Sequence, residues 1–248
     1  MADDIWVVGD PQGWLEPLTR VVGGIGLIDA DARWIGGGAT LAVAGDLVDR
    51  GPDGVGVISL LMRLQSQGAD VRVVIGNHDV QLLAADRFGG DVHAEWVATG
   101  GVASDLERLT DAHVEWLSAL PAMIHVDDAL LQHADALFYR EYGSSAEAVN
   151  AEFRRVLQSD DLAEWQHLLE LFGEHRAFFG DAGEANSAVY LGTLGGQMLV
   201  HGHTPIARML GVPPESVTEA YVYRDGRCVN VDPGIYLGGP GFAYRLPV

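Results

Sequence analysis

Seven side chains able to bind a metal or move a proton stand just beyond short β-branched or apolar runs: Asp10, Asp46, Asp49, Asn77, His78, His133 and His203. Three carboxylates, one carboxamide and three imidazoles make a mixed oxygen and nitrogen set. Such a set suits Mn, Fe or Zn better than Ca. Seven donors exceed what one ion uses while keeping open positions, so the expectation is two divalent cations, with manganese first among them. Two such ions, about 3.5–4 Å apart, clamp the attacking and leaving oxygens of a phosphoryl transfer. Asp46, between them, would bridge and offset their repulsion.

The elements that must position these residues are legible around them. Ile-Trp-Val-Val-Gly-Asp at residues 5–10, Leu-Ala-Val-Ala-Gly-Asp at 41–46 and Val-Arg-Val-Val-Ile-Gly-Asn at 71–77 each end a buried-strand pattern in glycine and an oxygen ligand. In open α/β sheets, ligands gather beyond the carboxyl ends of strands. Helices are expected at residues 14–22, at 53–67, where Val57, Leu60, Leu61 and Leu64 fall at helical spacing, and at 78–87. Residues 23–38 are glycine-rich and turn-like. This strand–helix alternation implies a parallel sheet with right-handed crossovers.

Further on, Thr110 caps a helix to about residue 120, which Pro121 stops. Strands at 123–126 and 129–132 flank an Asp127-Asp128 turn. Ser144 to Glu147 reads as a capping box opening a helix to residue 158, and one further helix is expected over 161–178. Residues 138–195 form a helical excursion from the sheet, either a lid or substrate wall or a plain helical cover. The sheet resumes at 197–200. Strands at 221–224 and 227–231 flank Asp225-Gly226, a hairpin signal, and 242–246 is the last strand. Late antiparallel strands after early parallel ones suggest a second sheet packed on the first, within one domain spanning 1–248.

Composition narrows the function. The chain has 248 residues, 48% of them hydrophobic, enough for a sizeable core. Its net charge of -20 argues against nucleic acid and against anionic membrane surfaces. No apolar run approaches the ~20 residues of a membrane span. All fifteen basic residues are arginine. The absence of lysine removes a P-loop and every Schiff-base mechanism, so any anion clamp is built from arginine. The single cysteine, Cys228, excludes an internal disulfide and fits a reducing cytoplasm, and the acidic start, Met-Ala-Asp-Asp, speaks against a signal peptide.

Gly9-Asp10-Pro11-Gln12-Gly13, Gly45-Asp46-Leu47-Val48-Asp49-Arg50-Gly51 and Gly76-Asn77-His78-Asp79 resemble the three signature blocks of calcineurin-like metallophosphoesterases. They are most similar to the phosphoprotein phosphatase branch, which also holds symmetrical diadenosine tetraphosphatases. Leu131-Gln132-His133-Ala134, Gly202-His203-Thr204-Pro205 and Asn230-Val231-Asp232-Pro233-Gly234 resemble its later blocks. The resemblance implies a four-layer α/β/β/α sandwich of two mixed sheets, with a dinuclear site between loops at one end. It implies that Asp10 and Asp46 hold one metal, and that Asp46, Asn77, His133 and His203 hold the other. A bridging hydroxide would attack phosphorus in line. His78 would protonate the leaving oxygen, oriented by Asp49. Arg50 would clamp phosphate oxygens, and Arg176 is the candidate for a second phosphate arginine.

Three departures stand out. Gln12 occupies a position where the family has a metal-ligating histidine; as a candidate ligand there it offers only a neutral carboxamide oxygen, so the first cation is expected to bind more weakly. This keeps open a second reading, a phosphate- or nucleotide-binding protein that has lost catalysis. Asp79 stands for the family's glutamate, and Asp135 adds an acid after His133. His201, two before His203, would share its face on a strand. A phosphoprotein, a dinucleoside polyphosphate and a small phosphomonoester all fit as substrates.

Overall fold

The computed structural model describes residues 4–247. Residues 1–3, on which the reading of the acidic start partly rests, lie outside them. The first sheet takes β1 (Ile5–Val8), β2 (Thr40–Val43) and β3 (Asp70–Val73), joined by α1 (Leu15–Gly24) and α2 (Gly54–Ser66). The strands pair parallel in the order β3-β2-β1. After β3 come α3 (Asn77–Phe88), α4 (Gly90–Ala98), α5 (Ala103–Arg108) and α6 (Asp111–Ser118).

The second sheet begins with the β4 (Met123–Val126) and β5 (Ala129–Gln132) hairpin. Four helices follow: α7 (Tyr139–Tyr142), α8 (Ala146–Gln158), α9 (Leu162–Leu171) and α10 (Gly183–Leu194). The chain then lays β6 (Met198–His201) parallel to β5, turns through α11 (Ile206–Leu210), and closes the sheet with β7 (Tyr221–Tyr223) and β8 (Cys228–Asn230). The order is β4-β5-β6-β8-β7. Finally β9 (Tyr244–Arg245) returns to pair antiparallel with β1.

Side-chain alternation along these strands builds the layers. Val7, Ala42, Ala44 and Val74 of the first sheet share one buried cluster with Leu131, Val200, Val229 and Val231 of the second. Their neighbours Val8, Leu41, Val43 and Val73 face the other way, into a cluster with Leu18, Val22, Val57, Leu61 and Leu64 of the helices. Two mixed sheets flanked by helices are what the sequence led one to expect.

Several local readings are corrected. The helix expected over 161–178 ends at Leu171; Gly173 follows, and α10 forms separately. Helix α8 is capped by Ser145, whose side chain accepts from the Ala148 N–H, rather than by a Ser144–Glu147 box. Helices α4 and α5 were not anticipated. The final strand is two residues long and belongs to the first sheet, so the later strands do not all build the second. The 138–195 excursion buries Phe138, Val149, Phe153, Trp165, Leu168 and Tyr190 in the core, as a covering layer does. No helix among the described residues is long and apolar enough to cross a membrane.

Candidate metal centre

Several of the expected site residues leave the end of a strand through a turn that ordinary residues avoid. Asp10, Gln12, Asp46, Asp49, Arg50 and His203 all have positive φ, from 22° to 71°. Such conformations cost of order 1–3 kcal/mol each and persist where the surroundings over-determine them. Glycine lets the loops close on one another: a Cβ at Gly76 would overlap Asp46 Oδ1, and one at Gly202 would overlap Asp10 Oδ1.

The loops converge from both sheets. Ligand atoms of Asp10, Asp46 and His133 all lie within 4.8 Å of one another. Asn77 Oδ1 is 3.0 Å from His133 Nε2 and 3.0 Å from His203 Nδ1, and those two nitrogens are 3.1 Å apart. Asp46 Oδ1 stands 3.2 Å from His133 Nε2. His133 Nδ1 is 2.8 Å from the Ala44 carbonyl, the backbone partner that fixes the ring and leaves Nε2 facing the cluster.

Electrostatics agree with a cation seat. Burial, then the adjacent His133, pushes His203 down to about 3. Burial also lowers His133. Lowered basicity favours unprotonated ring nitrogens that can offer lone pairs. Burial works to raise Asp46, but His133, His78 and His203 outweigh it and hold the carboxyl at about 2. Burial, with Asp232 and Asp46 nearby, raises Asp10 well above the carboxylate range. Its Oδ1 is buried without a hydrogen-bond partner, while Oδ2 accepts from the His203 N–H at 2.9 Å. Donor atoms about 3 Å apart, in a buried cluster that also holds a carboxylate oxygen lacking any proton donor, suit a divalent ion with bonds of ~2 Å. The residues present therefore fit the cations that the donor set suggests.

Gln12 is placed differently. Its Nε2 donates to Asp46 Oδ2 at 3.2 Å, and its Oε1 accepts from Arg50 Nη1 at 3.2 Å. The carboxamide oxygen thus serves the arginine, and the amide end faces the Asp46 carboxylate.

Beside the cluster, His78 is buried, with Nδ1 2.7 Å from Asp49 Oδ2. Burial acts to lower this imidazole, but Asp46 and Asp49 more than compensate and raise it. Burial raises Asp49 despite its histidine, and the short hydrogen bond joins the two groups. Asp49 Oδ1 accepts from the Trp96 indole at 2.9 Å. Nothing in the sequence marked Trp96, because α4 brings it back over 47 residues. Asp79 braces the loops: Oδ1 accepts from Leu47 N–H and Oδ2 from Gly76 N–H, each at 2.9 Å.

Other expectations are corrected or refined. His201 does not join His203, because the chain leaves the strand between them. Its Nδ1 meets the Gly202 carbonyl and its Nε2 the Tyr223 hydroxyl, at 3.0 and 2.7 Å. Asp135 accepts from the Thr204 hydroxyl and the Arg176 N–H, tying two turns together. The Arg176 guanidinium donates to the Arg208 carbonyl at 2.9 Å. A cavity of 840 Å³ along α1, lined by Trp14, Leu15, Arg20, Ile28 and Pro52 among others, contains none of the clustered ligands.

Residues 4–207 match the family model described as calcineurin-like phosphoesterase. The chain belongs to that family. Among curated relatives, it is 33% identical over 135 residues to the symmetrical bis(5'-nucleosyl)-tetraphosphatase of Chromobacterium violaceum, 54% of this chain and 43% of that one. The protein of the same name from Bordetella pertussis is 28% identical over 189 residues, 73% of this chain and 60% of that one. The chain thus spans roughly half of the curated relatives it matches. Among solved structures, the cold-active protein-tyrosine phosphatase of a psychrophile, Shewanella sp., shares the fold. It aligns at TM-score 0.73 and 19% identity, over 98% of this chain and 75% of that one. In this calcineurin-like phosphoesterase, the strand-end blocks account for the converging ligands.

Proposed function

We propose that the protein is a metal-dependent phosphoester or phosphoanhydride hydrolase using two divalent cations, with manganese the first to test. The observation that carries this reading is the convergence of donor atoms of Asp10, Asp46 and His133 within 4.8 Å of one another, with one Asp10 oxygen buried and unpartnered. Asp10 and Asp46 would hold one ion, and Asp46, Asn77, His133 and His203 the other. When bound, the cations supply a water of lowered pKa and positive charge against the phosphoryl oxygens.

The chain's own residues do the rest. His78, protonated through its bond to Asp49, gives its proton to the leaving oxygen. Asp49 keeps the ring oriented and balances the imidazolium, and Trp96 keeps Asp49 in place. Arg50 receives phosphate oxygens through its planar guanidinium. Arg176 is the candidate for a second phosphate arginine. The names of the curated relatives favour a dinucleoside polyphosphate as substrate over a phosphoprotein or a small phosphomonoester.

Hydrolysis of an aryl phosphate and of diadenosine tetraphosphate, with manganese present, tests the reading. Asp46→Asn and His78→Ala are expected to abolish turnover of both. A folded protein inactive with every divalent metal would overturn it. The contacts of Gln12 favour a second reading, in which a weak first site leaves a non-catalytic phosphate binder. Gln12→His decides: activity appearing only in that variant supports the binder, and equal activity in both forms rejects it.

A further inference from the structure

Three arginines lie next to one another, one of them bonded to Gln12 at the edge of the cluster, in a chain of net charge -20. The Arg50 guanidinium carbon lies 4.0 Å from the centre of the Tyr236 ring, and that of Arg208 lies 5.5 Å from the same centre. Arg176 reaches the main chain of Arg208. All three arginines are exposed and Tyr236 is half-buried. Among the described residues, none of the three is within ion-pair distance of a carboxylate, whereas Arg33, Arg72, Arg108 and Arg155 each are. Two guanidinium groups sharing one aromatic ring repel each other unless an anion spans them.

The spacing indicates what kind of anion. Arg50 is joined to the metal cluster through Gln12, which contacts both Arg50 and Asp46. A phosphoryl group on the cations and Arg50 already makes a complete monoester site. Arg208, on the short helix that follows His203, shares the Tyr236 ring and, among the described residues, its side chain makes no such link to the cluster. The ring is set firmly: it sits in a short turn between Gly234 and Gly238, both of positive φ, and Gly234 N–H donates to the buried Asp232 at 2.8 Å. The same turn packs on Pro205, which leads into the short helix carrying Arg208.

We propose that Arg208, held with Arg50 on the Tyr236 ring, binds a phosphate beyond the one attacked, so that the site selects polyphosphate chains over phosphomonoesters. This rests on the hydrolase reading above for which phosphate is attacked, but its binding test does not depend on turnover.

The test measures binding of diadenosine tetraphosphate and of an aryl phosphate by calorimetry, with manganese in excess. It uses the His78→Ala protein, so that neither ligand is consumed. Adding Arg208→Ala is expected to weaken the tetraphosphate about tenfold or more and to leave the aryl phosphate within about twofold. Adding Arg208→Lys, which keeps the charge, is expected to retain most of the preference. Equal weakening of both ligands, no change in either, or an Arg208→Lys variant as poor as Arg208→Ala would overturn the proposal. In the His78-intact protein, KM for the tetraphosphate should rise with kcat little changed. Absence of turnover there, with the binding difference intact, would refute the hydrolase reading and leave the phosphate-binding role of Arg208 standing.

Discussion

Asp49 and Asp79 are both fully buried acids near the same loops, yet their partners give them different work. Asp49 joins an imidazole and an indole; Asp79 joins two backbone N–H groups. Trp96→Phe removes one charge-assisted hydrogen bond and little volume. If Trp96 positions Asp49, kcat should fall about tenfold with KM unchanged, since one such bond contributes about 1.5 kcal/mol. Steady-state kinetics on an aryl phosphate will show it; a change confined to KM would refute the positioning role. Asp79→Ala strands the Leu47 and Gly76 N–H groups. Urea denaturation of the metal-free protein should register a loss of about 3 kcal/mol. A loss under about 1 kcal/mol would mean that water replaces the carboxylate.

At the scale of elements, what was legible depended on how local the cause was. The Gly-Asp and Gly-Asn-His blocks could be read because the strand, its glycine and its ligand lie within a few residues of one another. The helix over 161–178 was misread because apolar spacing continues past Leu171, and only Gly173 with its following turn breaks it. His201 was misread because period-two logic was carried past the strand's end, where Gly202 and the positive φ of His203 turn the chain. The Asp49–Trp96 and Arg50–Tyr236 contacts left no local trace, since tertiary packing alone creates them. The α8 cap offers a clean check of an element against the site. Ser145→Ala should reduce stability by about 1 kcal/mol through loss of its bond to Ala148 N–H, with catalysis unaltered. A matching loss of activity would show that the 138–195 helices do more than cover the core.

Over the whole molecule, the buried acids set how stability depends on pH in the absence of cations. Burial pushes Asp232 up to about 7 and Asp79 to about 8. An acid raised on folding binds more protons in the folded state. Its stabilisation is whole below the unfolded value near 4 and is lost as pH rises through the folded value. Asp46, held at about 2, works in the opposite sense, as does His203 at about 3. Their contributions are complete by about pH 6.5, the ordinary histidine value. The metal-free Tm should therefore fall between about pH 6.5 and 8.5, and Asp232→Asn should flatten part of that slope. An unchanged slope in the variant would remove Asp232 as a cause. Manganese should raise Tm most at the alkaline end, where the uncompensated acids repel, and a chelator should reverse the gain. A Tm indifferent to both would show that no cation occupies the cluster.

The proposed ligands are divided between the sheets: Asp10, Asp46 and Asn77 leave the first, His133 and His203 the second. Neither half carries the whole proposed set. On the ribosome, the opening stretch of the chain emerges with its acids already in order but without an imidazole from the second sheet to complete the set. If this set holds the cations, loading of the full set waits until the turn after β6 has been synthesised, and a protease nick that separates the halves would dismantle it without touching a single donor.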